Sequence, residues 1–352
     1  MKFAVFVPVV FLGWSAAAQP ALAQTAPANR AAAKAAIQEA VAGGDTRRAY
    51  DAYDRFVAAN HRPDAELLSP IAADELRAIA THAVSDPRLQ VEAWERLARY
   101  GDTQAPVELQ RMATDATGTP VAALANGALA RLGDTAAIAR LAGMASSGTP
   151  RDKSHVVEAI RRSGLRDQAQ VLLPLLKDPD WTTRLEAAEA LAVLDYKAAI
   201  PEIRKLLSDD EPRVRSKAAL ALRRLGDTAG SPNVEAMLLS NVGSARLDAL
   251  EADPLSDRGE VAAAARQLMN DPDPFNRVKG AESIARDEPA AARAVLTTVA
   301  GDADSTARRL AARVLESLKP ADLTILRRLL EDSTGWVRMY AAGGVLAAAE
   351  VK

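Results

Sequence analysis

The chain has 352 residues, of which 49% are hydrophobic and only 4% aromatic, and it contains no cysteine. The lack of cysteine excludes a disulfide framework, a cysteine-ligated zinc site and a cysteine nucleophile. A formal net charge of −2, with 26% charged residues, is typical of a folded chain and argues against disorder caused by charge repulsion.

The first 23 residues have the pattern of a secretory signal peptide. Lys2 provides the short positive start, residues 3–14 form an apolar run, and Ala21-Leu22-Ala23 is a small-x-small cleavage pattern. The alternatives are a buried first helix and a membrane anchor, but the run is shorter than the roughly 20 apolar residues that cross a bilayer. We therefore expect cleavage after Ala23 and a periplasmic or secreted bacterial protein without membrane insertion.

Residues 24–72 have a helical pattern but lack the repeat described below. Gly43-Gly44-Asp45, followed by Tyr50 and Tyr53, resembles a tetratricopeptide hairpin only weakly. We interpret this segment as an N-terminal helical cap on the end of a repeat array.

From residue 73 to residue 350 the sequence repeats with a period of 31 residues. Arginines recur at this spacing, with one step of 30, at Arg184, Arg215, Arg246, Arg277, Arg308 and Arg338. Six residues before each arginine stands an aspartate, except in one repeat, which has Ser240: Asp178, Asp209, Asp271, Asp302 and Asp332. Roughly nine such units fit into this length, and a fixed period is typical of a repeat architecture.

Each repeat is predicted to form two helices. Apolar residues at helical spacing mark the second helix of one repeat at Val214, Ala218, Ala219, Leu222 and Leu225, and the first helix at Ile200, Ile203, Leu206 and Leu207. Acids at the elbow between the helices can cap the second helix, and recurring alanines allow close helix packing. No segment of alternating β-branched residues competes, so we predict an all-α fold.

The segments from Asp178 to Leu191 and from Asp209 to Leu222 resemble HEAT repeats, in the short variety first noted in phycobilisome lyases. This resemblance implies a right-handed α-solenoid, a superhelix of helical hairpins that mostly binds other proteins. It also implies a structural ladder in which the elbow aspartates pair with the repeated arginines: Asp178, Arg184, Asp209, Arg215, Asp271, Arg277, Asp302, Arg308, Asp332 and Arg338. The pairing of Arg246 stays open because Ser240 replaces the acid.

One repeat departs from this pattern. The sequence Ala252-Asp253-Pro254 should end the second helix early, which predicts an irregular repeat near residues 240–258 and a local change of curvature.

No motif for metal, cofactor or catalytic chemistry stands out. His61, His82 and His155 lack a metal ligand at helical spacing, and the G-x-S-x-G, S-x-x-K and phosphate-loop patterns are absent. Paired carboxylates recur at the elbows, whereas a catalytic pair should occur once. We expect no cofactor and no enzyme activity. The alternative is an enzyme, or an enzyme accessory subunit, acting on envelope polymers or an exported protein, and a unique buried titratable cluster would favour it.

The concave face, predicted to be lined by the second helices, carries charges of both signs. This mixture argues against nucleic acid, which selects a basic surface, and opposite charges can pair between adjacent repeats. An open solenoid seldom forms the closed apolar pocket of a small-ligand receptor. We therefore predict that another protein is the partner, bound by a scaffold or adaptor that is monomeric or weakly oligomeric. The candidate protein-binding residues are Lys217, Arg224, Lys279, Arg313, Trp336 and Tyr340. For Trp336, packing against the terminal core is an alternative.

Overall fold

The computed structural model describes residues 29–350, apart from 83–85, 116–119, 165, 241 and 253–255. Every regular element in this part of the chain is helical. The predicted signal peptide and its cleavage site lie outside the described residues.

A helical hairpin begins the described part. It consists of α1 (Arg30–Ala42) and α2 (Thr46–Asn60). Asp45 caps α2 by accepting a hydrogen bond from the backbone N–H of Arg48, as its short carboxylate favours at that position.

Nine further hairpins follow in the described part of the chain, each with a first and a second helix. In chain order they pair α3 (Ala65–His82) with α4 (Pro87–Arg99), α5 (Ala105–Asp115) with α6 (Pro120–Arg131), α7 (Thr135–Ser147) with α8 (Pro150–Ser163), the 3-10 helix Arg166–Lys177 with α9 (Trp181–Val193), α10 (Ile200–Lys205, flanked by short 3-10 turns) with α11 (Pro212–Arg224), α12 (Ser231–Leu238) with α13 (Gly243–Ala252), α14 (Arg258–Leu268) with α15 (Pro274–Ile284), α16 (Pro289–Val299) with α17 (Ser305–Ser317), and α18 (Leu323–Leu329) with α19 (Gly335–Glu350). The chain is therefore an all-α solenoid. The predicted boundary between residues 72 and 73 falls inside α3.

Small side chains fill the space between the helices. Ala187, Ala188, Ala218 and Ala219 are completely buried. Second helices of neighbouring repeats contact each other more extensively than first helices do, because alanine permits close approach there. The array therefore curves with the second helices on its concave side.

At several elbows, two acidic side chains accept backbone hydrogen bonds in succession. At the elbow before α9, Asp178 accepts a hydrogen bond from the backbone N–H of Asp180 at 3.0 Å, and Asp180 in turn caps the helix by accepting from Thr183. The elbow before α15 repeats this arrangement with Asp271 and Asp273. The recurrent acids are thus engaged in backbone hydrogen bonds.

Three of the six repeated arginines, Arg184, Arg277 and Arg308, join one elbow to the next. Arg184 donates two hydrogen bonds to Asp209, at 2.7 and 2.8 Å, and also donates to the carbonyl of Asp178 in its own elbow. The other ion pairs of this ladder join Lys153 to Asp178 (2.6 Å), Arg277 to Asp302 (3.6 Å) and Arg308 to Asp332 (2.9 Å). We call each such pair a rung.

The second helix of the repeat that contains Ser240 is described over Gly243–Ala252 (α13). The predicted breaker at Asp253-Pro254 lies outside the described residues. Ser256 and Asp257 are not helical and α14 begins at Arg258, so no unbroken helix runs from residue 244 to residue 258.

The two ends of the array meet. Helix α19 packs along α3 and also contacts α4, and the contact with α3 is the most extensive between any two helices of the described part. Arg338, the last ladder arginine, donates to Glu75 of α3 at 2.6 Å, and Arg327 pairs with Asp54 of α2 at 2.8 Å. The solenoid thus closes into a ring, whereas the repeat pattern predicted an open array. We call the junction of the ends the seam.

Candidate protein-binding face

Ion pairs between repeats cross the concave face. Lys217 lies 3.3 Å from Glu189, Lys279 lies 2.7 Å from Asp248, and Arg313 lies 2.8 Å from Glu282. All six side chains are between 31% and 47% exposed, so each pair contributes only about 0–1 kcal/mol to folding. These groups remain accessible and can exchange their partners for those of a bound protein.

A groove follows the middle of this face. A cavity of about 120 Å³ is lined by Lys217, Arg224, Asp248 and Glu251. A second cavity of about 660 Å³ shares Arg224 and Glu251 with it and continues to Lys279. Arg224 is exposed, and no carboxylate of the described residues pairs with it. The groove therefore presents one unpaired guanidinium among charges of both signs.

Next to the groove, the concave face becomes acidic. Glu158, Glu186 and Glu189 line a cavity of about 260 Å³ together with Arg161. Burial raises the pKa of Glu186, and its Oε2 atom is buried without a hydrogen-bond partner among the described residues. This end of the face favours a cationic group.

Trp336 and Tyr340 lie at the seam. The indole Nε1 of Trp336 donates to Asp86 at 2.8 Å, and the Tyr340 ring is covered by the guanidinium of Arg96 at 4.9 Å from its centroid. Tyr340 is buried, and Trp336 is partly buried. These two of the six predicted protein-binding residues therefore pack against the first helices of the array. For Trp336, this agrees with the alternative prediction that it packs against the terminal core. Lys217, Arg224, Lys279 and Arg313 lie on the accessible concave face.

Charged side chains are buried beside the seam. Arg96 of α4 makes a bidentate pair with Glu316 of α17, at 2.8 and 2.9 Å, and also donates to Glu92 at 3.2 Å. Glu92 accepts a further hydrogen bond from Arg162 of α8 at 2.8 Å. One turn along α4, Glu95 pairs with Arg131 of α6. We call these six residues the seam network.

The pKa values show how tightly this network is paired. Burial alone would raise the pKa of Glu92, but the charges of Arg162 and Arg96 outweigh it and hold the value at about 2. Burial likewise opposes ionisation of Glu95, yet its hydrogen bond with Arg131 lowers its pKa. Both carboxylates therefore stay charged, and breaking one partner from the network would leave a buried charge uncompensated.

The seam network was not predicted from the sequence. Glu92, Glu95 and Arg96 belong to the run Glu92-Ala93-Trp94-Glu95-Arg96, and charged residues in an amphipathic helix are typical of a solvated face. Their burial depends on α17 and α19, which lie more than 200 residues further along the chain. Only the missing ladder in residues 24–72 pointed to a special N-terminal end.

No group of three or more potential ligands in the described part of the chain is placed to hold a metal ion. Nor do the helices of residues 29–350 that are described include one of sufficient length and apolarity to span a bilayer.

Comparisons with known proteins bear on the fold. The family model described as HEAT repeats matches residues 119–192 and 169–252. No curated protein matches the chain significantly. Among solved structures, human deoxyhypusine hydroxylase in complex with glycerol has 18% identity and a TM-score of 0.39, covering 82% of this chain and 100% of that chain. A chain from the complex of CpcE and CpcF of phycocyanin lyase from Nostoc has 18% identity and a TM-score of 0.44, covering 69% of this chain and 94% of that one.

Proposed function

The chain is a HEAT-repeat protein, and we propose that it acts as an exported, non-catalytic scaffold that binds another protein on its concave face. HEAT repeats commonly serve protein–protein interaction, and a repeat array offers a long continuous surface for it. The observation that carries the proposal is the groove of α11, α13 and α15, where Arg224 has no carboxylate partner among the described residues.

The groove favours a partner with charges of both signs. Lys217 and Lys279 are already paired across repeats, so a partner carboxylate would compete for them, while Arg224 can take one directly. The acidic cavity around Glu186 would take a lysine or arginine of the same partner. Complementary charges of this kind increase the specificity and the association rate more than they increase the affinity.

The seam network bears on the alternative that the protein is an enzyme. It is a buried titratable cluster, and a unique cluster of this kind in the concave groove would favour this alternative. However, Glu92 is fully paired and its pKa of about 2 makes it a weak base at neutral pH. Elsewhere, the repeated acids are used in capping and in the ladder. These observations favour a structural role for the network.

Export rests on the sequence of residues 1–23. The positive start, apolar run and Ala21-Leu22-Ala23 pattern support a cleaved signal peptide. In a periplasmic location, the partner would be an exported or membrane-anchored protein.

Site-specific photo-crosslinking in intact cells tests the proposed interface. A benzophenone amino acid replaces Arg224, and in a matched control it replaces Val107, a 66% exposed residue of α5, a first helix. We expect a discrete crosslinked product with one protein from position 224 only, and loss of that product when Lys279→Glu is added. Equal products from both positions, or none from position 224, would contradict the proposal.

A further inference from the structure

One elbow of the array lacks its acidic residues. Ser240 and Val242 occupy the positions that Asp209 and Glu211 hold one repeat earlier. Ser240 keeps the backbone function of the missing aspartate, because its Oγ accepts a hydrogen bond from the N–H of Val242 at 3.1 Å. The elbow therefore keeps this hydrogen bond and loses the negative charges of both acids.

The loss leaves Arg215 without a rung. In Arg184 and Arg308, the Nε and Nη2 atoms donate to an aspartate of the next elbow. Arg215 uses only Nη1, which donates to the carbonyls of Asp209 and Asp210 at 2.7 and 3.0 Å. Its Nε and Nη2 atoms have no acceptor among the described residues, and the side chain is partly exposed. The guanidinium is thus held in place with its carboxylate-binding edge open.

The next arginine along the same edge is also unpaired. Arg246 is exposed, and within the described part of the chain its side chain makes neither an ion pair nor a hydrogen bond. Two consecutive rungs are therefore open, whereas the ladder is continuous from Lys153 to Asp209.

Exposed apolar side chains lie on this elbow and on the next one. Leu239 is 84% exposed and Val242 is 59% exposed, and Phe275 on the neighbouring elbow is 38% exposed. These three are among the five large hydrophobic side chains that are exposed in the described part of the chain. Their concentration at one place marks an interaction surface more than isolated exposed residues do. We call Arg215, Leu239, Val242, Arg246 and Phe275 the elbow rim.

We propose that the elbow rim binds an extended segment of a partner protein that carries aspartate or glutamate next to an aliphatic residue. The partner carboxylate takes the position of the missing aspartate and accepts hydrogen bonds from Nε and Nη2 of Arg215, as Asp209 does from Arg184. A second carboxylate pairs with Arg246. The aliphatic side chain covers Leu239 and Val242, which a free phosphate or another small anion would leave in water.

The elbow rim is separate from the groove on the concave face, so this inference does not depend on the proposed function. The rim lies at the first turns of α11, α13 and α15 and at the end of α12, whereas Arg224 is the last residue of α11, at the opposite end of that helix. A partner could engage either surface without the other.

Peptide selection tests the chemistry of the rim. A random peptide library displayed on phage is selected against the chain beginning at residue 24. We expect the enriched peptides to combine Asp or Glu with Leu, Ile or Val. An enrichment without acids, or no enrichment, would overturn the proposal.

The substitution Ser240→Asp then tests the location with a selected peptide as the probe. The new carboxylate should occupy Arg215 from within the chain and lower the peptide affinity by about tenfold, as expected for the loss of a charge-assisted bidentate pair. Ser240→Asn introduces a side chain of the size of aspartate but without the charge, and it should change the peptide affinity by less than about twofold. Equal affinities for the two variants would overturn the inference.

Two readouts separate failure of the rim from failure of the fold or of the groove. Ser240→Asp completes a rung and should raise the thermal midpoint, so lost binding cannot be assigned to unfolding. Arg224→Glu should leave the affinity for the selected peptide unchanged, because it alters only the groove. A peptide that Arg224→Glu weakens and Ser240→Asp does not would assign the binding to the concave face instead.

Discussion

The elbow arginines donate hydrogen bonds to backbone carbonyls, and some of them also pair with carboxylates. Arg184 and Arg215 both donate to carbonyls of their own elbow, but only Arg184 also binds a carboxylate of the next repeat. The two residues therefore separate the contribution of elbow closure from that of the rung. The sequence shows Ser240 in place of an aspartate, but the period alone does not show that each arginine binds the aspartate of the next elbow and not that of its own.

We predict that Arg215→Ala lowers the free energy of unfolding by about 1–3 kcal/mol, because it strands the carbonyls of Asp209 and Asp210. Arg184→Ala should cost about 1 kcal/mol more, since the nearly buried Asp209 also loses its partner. Denaturant titration of both variants beside the native chain measures the difference. If Arg215→Ala leaves the denaturation midpoint of the native chain unchanged, Arg215 does not stabilise the elbow. If Arg184→Ala and Arg215→Ala have equal midpoints, the rung between Arg184 and Asp209 does not stabilise the fold.

At the level of elements, the spacing between packed helices depends on glycine at the points of contact. Gly280 of α15 faces α14, where an added Cβ atom would lie 3.0 Å from Leu268 Cβ and would overlap the carbonyl oxygen of Ala265. Gly143 of α7 has nothing within 4 Å of the same position and has no strained backbone. The helical pattern of the sequence predicts both helices but gives no indication of which glycine is a contact.

We expect Gly280→Ala to destabilise the protein by about 1–3 kcal/mol, because α15 must move away from α14. Gly143→Ala is the matched control and should stabilise it by about 0.5–1 kcal/mol, since alanine is the better helix former in an exposed helix. Thermal unfolding followed by circular dichroism measures both. If the two substitutions shift the midpoint in the same direction, the packing between α14 and α15 is not as described.

Much of the geometry of each repeat could be predicted from the sequence pattern, but the packing at the seam could not. The 31-residue period locates the elbows and the capping acids, because both depend on local hydrogen bonds and turns. Tyr340 shows the limit: its place in the second helix suggested an exposed residue, but the first hairpins return to cover it. Closure depends on the sum of small rotations over nine hairpins, which a local pattern does not contain.

At the level of the whole molecule, ring closure determines which faces are accessible. It hides Tyr340 and places Glu92 and Arg96 in a buried network that joins α4 to α8 and α17. The pKa of Glu92 is about 2, compared with an ordinary value of 4.5. Its contribution to stability is therefore present above pH 4.5 and is lost as the pH falls toward 2. Over this window the loss is on the order of 3 kcal/mol.

The distance between the two ends of the array tests this closure most directly. Because the chain has no cysteine, Asp51→Cys in α2 and Arg328→Cys in α18 allow two spin labels to be attached at exposed sites next to the Asp54–Arg327 pair. Pulsed dipolar spectroscopy should give one narrow distance below roughly 30 Å at neutral pH, because helices in contact lie about 10 Å apart. That distribution should broaden as the pH falls from 4.5 toward 2. A distance beyond about 50 Å at neutral pH, as an open array of nine hairpins would give, would contradict the closed ring.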